Sequence, residues 1–146
     1  MKKGIRFVGL ILVLSILMTI PVFAQTRVET RASIFFSAHY TFLSKVSDTR
    51  FKVWYDVTAT GTMDYLGVCE IQIDRSSDGQ NWSLIATYNH TFYPAMVASN
   101  TGSHTGYITN YNATPGYYYR AYVTFYAKNS RGTGELSRMT KTLYMG

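Results

Sequence analysis

One cysteine, Cys69, in 146 residues excludes an intramolecular disulfide, so the fold has to be held by its core. Cys69 itself is expected to be a small buried hydrophobe. Acidic residues number only eight and are scattered, which leaves no cluster of carboxylates for acid–base work. The three histidines, His39, His90 and His104, have no short spacing between any pair, so neither a metal site nor a cofactor site is expected. G-x-S-x-G, H-E-x-x-H, a phosphate loop and a Cys/His nucleophile pattern are all absent, and the chain does not read as an enzyme. No block of like charge follows the first residues, which argues against a nucleic-acid partner. An amphipathic helix is missing too.

What the chain does have begins with a processing signal. Lys2, Lys3 and Arg6 precede an uncharged run from Phe7 to Ile20, then Pro21 and the small-residue pattern Val22-Phe23-Ala24. A signal peptide over residues 1–24, cut after Ala24, is expected, and with it a secreted or cell-surface location. The run is short for a bilayer span of about 20 residues; an uncleaved anchor, the one route to a membrane contact, is the alternative. No cysteine lies at the cut, which disfavours lipoprotein processing. Removing Lys2, Lys3 and Arg6 leaves 11 basic against 8 acidic residues, a mild +3.

Residues 25–32 are polar and read as a flexible lead-in, and residues 33–146 as one domain. Across it, apolar residues recur with a period of two. Ile34, Phe36, Ala38, Tyr40 and Phe42 are expected inward on a first strand. Phe51, Val53, Tyr55, Val57 and Ala59 form a second, which carries Trp54 on its polar face. After a connection from Thr60 to Gly67, Cys69, Ile71 and Ile73 point inward on a third. The Asp78-Gly79 pair predicts a hairpin turn into a strand over Trp82–Tyr88, because glycine takes positive φ without steric cost. Asn89 to Gly106 reads as an unusually long connection hiding a short strand near Phe92–Val97. Tyr107–Tyr111 is a further short strand. The central strand places Tyr117, Tyr119, Ala121, Val123, Phe125 and Ala127 on an apolar face, and Tyr118, Arg120, Tyr122, Thr124, Tyr126 and Lys128 on an aromatic and cationic one. Asn129–Gly134 turns the chain, and Leu136–Met145 closes it as an edge strand. About seven strands without a helix predict an all-β fold, an antiparallel two-sheet sandwich.

The stretch PGYYYRAYVTFYAKNSRGTGELS, from Pro115 to Ser137, resembles the closing strands of fibronectin type III domains, within the immunoglobulin-like sandwiches. The resemblance implies that Tyr119 is the corner tyrosine whose hydroxyl bonds backbone a few residues upstream. It also implies that Tyr111 or a neighbour fills the space beside Ala113, where that family carries a large apolar residue. RSSDGQNW is similar to the hairpin of bacterial type III modules, and SSDGQNW to that of discoidin-like carbohydrate-binding modules. The whole chain resembles a small family of exported proteins from Gram-positive bacteria, which implies export and brings no activity with it.

The positive functional signal is aromatic. Tyr118, Tyr122 and Tyr126 recur at intervals of four on one strand face, about 13 Å apart, with Arg120 between them. Such residues stack sugars or peptides, and they also simply suit a half-exposed strand packed on neighbours such as Glu70 and Gln72. The leading expectation is a non-enzymatic interaction or adhesion module that meets an extracellular protein or glycan through these residues. The alternative is a carbohydrate-binding module that adds Trp54 or Trp82. A small hydrolase built on Asn89–Gly106 is a third.

Overall fold

The computed structural model describes residues 34–146. The expected signal peptide over residues 1–24 and the lead-in over 25–32 lie outside the described residues. The described chain is all-β: β1 (Phe36–Ser47), β2 (Arg50–Ser76), β3 (Ser83–Asn89), β4 (Val97–Asn110), β5 (Tyr118–Asn129), β6 (Gly132–Met139) and β7 (Leu143–Tyr144). A three-residue 3-10 turn, Pro94–Met96, precedes β4. Among the described residues no helix is long and apolar enough to cross a membrane.

β2 is the axis. The second and third expected strands are one continuous element of 27 residues, and the connection expected over Thr60–Gly67 is strand. The reason lies in the register with β4, which slips between the pairs Thr58/Ser103 and Met63/Thr101. Four residues of β2 there oppose Gly102 alone, so the strand bends instead of breaking. Gly67 then lies so close to the Pro94–Met96 turn that a Cβ would collide with the Met96 carbonyl oxygen.

The bend changes β2's neighbours. β1 pairs with its first half and β5 with its second, along the same edge, while β4 and then β3 occupy the other edge. The antiparallel sheet therefore curls until its halves face each other across the core. Phe51, Val53, Tyr55 and Val57 on one half meet Tyr119, Ala121, Val123 and Phe125 on the other, all of them buried. The Phe51 and Tyr119 ring centroids are 5.0 Å apart. The inward set expected for β5 is the observed one from Tyr119 to Ala127, with Tyr117 packed at its margin.

β1 has the opposite phase to the expected one. Its pairing slips between Phe36/Ala59 and Ala38/Thr58, and the Ser37 hydroxyl ties this bulge to the Thr58 and Ala59 carbonyls, each at 3.1 Å. Phe35 and Phe36 are both buried, and beyond the bulge His39, Thr41 and Leu43 turn inward while Tyr40 and Phe42 turn outward. A one-residue slip of this kind inverts every later side chain.

The long connection is a strand as well. Val97–Asn110 pairs with β2 along most of its length, so the short strands expected near Phe92–Val97 and at Tyr107–Tyr111 give way to the 3-10 turn and to the end of β4. Small polar residues conceal it, because ASNTGSHTG carries little apolar contrast and its backbone bonds hold the strand. The closing strand divides into β6 and β7 at Thr140, whose N–H donates to the Ala121 carbonyl at 2.9 Å while its hydroxyl accepts from the Ala121 N–H at 3.0 Å. Cys69, expected inward, is the extra residue of a bulge between the pairs Val68/Phe125 and Glu70/Thr124 and is only half-buried.

Candidate interaction surfaces

The outer face of β5 follows from its alternation. Tyr118, Arg120, Tyr122 and Tyr126 all project from it and all are half-buried, because each has acquired a companion. The Tyr118 ring lies 4.7 Å from that of Tyr144 and packs beside Gly79 of the Asp-Gly turn. Arg120 donates from Nε and Nη2 to Asp74 Oδ2 at 3.1 and 3.0 Å, and its guanidinium covers Trp82 at 4.2 Å and Tyr122 at 5.3 Å. Tyr122 stands opposite Gln72 and Met139 in the register. Tyr126 stacks on His90 at 6.0 Å. The face is thus a continuous layer in which cation–π and ion-pair contacts hold Arg120 still.

The turn beside it is locally rigid. Gly79 takes φ +73°, as the Asp-Gly pair predicts. Asp78 Oδ1 accepts from the Gln80 and Asn81 amides at 2.8 Å each and from the Ser76 hydroxyl at 2.8 Å. The Asn81 and Gln80 amides, helped by the Asn81 and Ser76 side chains, hold the Asp78 carboxyl well below the usual range. This carboxylate serves turn geometry.

A second aromatic group forms on the outer face of the other half-sheet. Phe42, Trp54 and Tyr107 are direct partners across β1, β2 and β4. The Phe42 and Trp54 planes lie within 6° of parallel at 6.1 Å, and Trp54 and Tyr107 are 4.7 Å apart. Tyr40 extends the group from Phe42 at 5.6 Å and is 66% exposed, while Tyr107 is 47% exposed. Lys52 lies 3.8 Å from the Tyr107 ring centroid and 5.3 Å from that of Trp54. On the opposite flank, Asp56 accepts from the Thr105 hydroxyl at 2.6 Å. Apolar ring area is therefore bracketed by one cation and one carboxylate.

Trp54 had already signalled this surface by standing on the polar parity of its strand. Phe42 and Tyr107 give no such signal: uninterrupted alternation from Ile34 turns Phe42 inward until the Ser37 bulge is taken into account, and the small polar residues of β4 hide the strand that carries Tyr107. A second slip in the β1–β2 register, between the pairs Ser47/Arg50 and Lys45/Phe51, is what sets Phe42 opposite Trp54; counting back from Ser47/Arg50 alone would set it opposite Tyr55.

The histidines do not converge. His90 lies with Nδ1 3.2 Å from the Cys69 carbonyl oxygen, His104 with Nε2 3.0 Å from that of Ala95, and His39 against Phe125 at 5.5 Å. Among the described residues no three His, Cys, Asp or Glu side chains gather closely enough to hold a metal ion. Burial, then the Glu135 and Glu70 carboxylates, push the Cys69 thiol up to about 11, the reverse of what a nucleophile requires. No protein-family model matches this chain, and none of the curated proteins does.

Proposed function

We propose that this chain is an exported, non-enzymatic binding module with a fibronectin type III-like sandwich, working in interaction or adhesion at the cell surface or beyond it. The reading rests on one observation above others: the in-register row Phe42–Trp54–Tyr107 keeps large rings partly exposed on a sheet face that no other described strand covers. Exposed aromatic area on a domain with a complete core marks contact with something else. Tyr118, Tyr122, Tyr126 and Arg120 offer a second contact surface on the opposite outer face.

Two features favour the type III comparison. The single seven-stranded sheet folds over at the bend of β2. β1, the first half of β2 and the end of β4 lie on one side of the core and β3, the second half of β2, β5 and β6 on the other, an arrangement that a two-layer sandwich would also give. The Tyr119 hydroxyl lies 2.7 Å from the Thr114 amide, five residues upstream, as in the tyrosine corner. Tyr111 does not fill the space beside Ala113. It is 63% exposed, and Ala113 is itself buried with its amide bonded to the Thr49 carbonyl.

Carbohydrate binding is the second reading, favoured by Trp54 lying in an aromatic row with Lys52 and Asp56 on its flanks. The experiment for both is binding of wild-type and W54A protein to envelope fractions and to a glycan array. Loss of binding by W54A with its fold retained supports the module, and equal binding by both proteins rules out the row as its contact.

A further inference from the structure

The two edges of the curled sheet, β1 and β6–β7, meet along a seam. The seam is closed at one end where the Phe35 ring occupies the space a Gly134 side chain would need, and where Arg138 Nε donates to His39 Nε2 at 2.9 Å. It is closed at the other where Lys45 Nζ donates to the Gly146 carbonyl at 3.0 Å. Between these ties lies a cleft of about 450 Å³, bordered by residues 39–43 of β1 and, across from it, by residues 138, 139 and 141–143. The cleft lies where the chain passes from β6 to β7 at Thr140, which is held to Ala121 through its N–H and its hydroxyl.

Its chemistry is one-sided. Arg138 and Lys141 border it together with Thr41 and Thr142, and among the described residues no carboxylate does. Among the described residues neither cation has a salt-bridge partner: the two ion pairs present are Lys45–Asp48 and Arg120–Asp74. Arg138 spends Nε on His39 and Nη1 on the Ser137 carbonyl, which fixes the guanidinium and leaves Nη2 to donate. Burial and Arg138 both lower the His39 pKa, so a neutral imidazole accepts the Arg138 bond. The cleft border thus carries positive charge that no described carboxylate on it balances.

Phe42 belongs both to the cleft wall and to the aromatic row, so the two are continuous from β4 through β2 to the edge of β1. We propose that the cleft takes the carboxylate of an acidic sugar, in a glycan whose neighbouring units lie along Phe42, Trp54 and Tyr107. The proposal rests on the carbohydrate reading above and deepens it. Charge complementarity selects the anion, through Arg138 and Lys141. The ties at both ends of the seam oppose an extended peptide strand, which would have to run through them. Lys52 and Asp56 on the two flanks of the row suit hydroxyl groups that donate and accept.

The test is affinity electrophoresis in gels containing polygalacturonate, alginate or hyaluronan, with the carboxyl-reduced form of each polymer as the neutral control. Wild-type protein is compared with R138A/K141A, W54A and the remote cation variant K128A/R131A, each checked by circular dichroism. At least one acidic polymer is expected to retard the wild type, R138A/K141A to weaken this by roughly tenfold or more, and K128A/R131A to leave it nearly unchanged. Equal retardation by acidic and reduced polymers, lost in W54A, overturns the carboxylate cleft and keeps the carbohydrate reading. No retardation by any polymer overturns both. Equal loss in the two cation variants shows charge attraction without a site and overturns the proposal. So does polyglutamate that competes as well as the glycan.

Discussion

The Tyr119 hydroxyl receives the Thr114 amide at 2.7 Å, joining the corner before β5 to a ring buried against Phe51. One side chain thereby fixes both the entry of the central strand and the packing between the half-sheets. Y119F keeps the ring and removes the acceptor. It is expected to cost about 1–3 kcal/mol in urea unfolding, with the slope of the transition unchanged. A loss within experimental error would mean that water replaces the hydroxyl and that the corner is not a stabilising feature.

The outward aromatics divide by exposure, and so should their variants. Y122A removes a half-buried ring beneath Arg120 and is expected to lower stability by about 0.5–2 kcal/mol while weakening any partner that uses the β5 face. Binding unchanged in Y122A, with W54A defective, assigns contact to the row alone.

Cys69 is the sole cysteine, yet it is expected to be a poor nucleophile. Its thiol is pushed up to about 11 by burial and by Glu135 and Glu70, so at pH 8 almost none of it is thiolate. Alkylation by iodoacetamide in the native protein is expected to be slower than in urea by roughly a hundredfold, given that proportion of thiolate. Comparable native and denatured rates would show that the bulge opens readily.

Gly106 has no space for a side chain. A Cβ there would run into the ring and hydroxyl of Tyr55, which is buried and whose own pKa burial raises to about 12. G106A is therefore expected to destabilise by about 1–3 kcal/mol through overpacking. Thermal unfolding checks this, and a midpoint equal to wild type would contradict the observed seat of Tyr55.

His39 gives the protein a pH dependence of known sign. Its folded pKa lies below the ordinary 6.5, from burial first and Arg138 second, so the unfolded chain binds the proton more readily. Its contribution is complete above pH 6.5 and is lost as pH falls through the folded value. Unfolding midpoints measured from pH 7.5 to 5 should fall, and H39Q should flatten that part of the slope.

Strands whose two faces differ sharply were legible in the sequence. Tyr119 to Ala127 and Phe51 to Ala59 point where their alternation directs them, and the turn at Asp78-Gly79 forms where its residues require. What escaped depended on backbone pairing between distant segments. The Ser37 bulge inverted β1, because one extra residue changes parity without changing composition. The bend in β2 was read as a break, since Gly61 and Gly67 permit a turn without compelling one. Of the candidate surfaces, the β5 residues were found on one strand, whereas the row needed three strands brought into register.

The most direct test is equilibrium binding of wild-type, W54A and F42A/Y107A proteins to the envelope of the cells that produce the protein, with unfolding midpoints measured alongside. The account predicts saturable wild-type binding and a loss of about tenfold or more in the row variants, equal to about 1.4 kcal/mol, while they remain folded. Saturable binding that all three proteins share, or no wild-type binding at all, would contradict it.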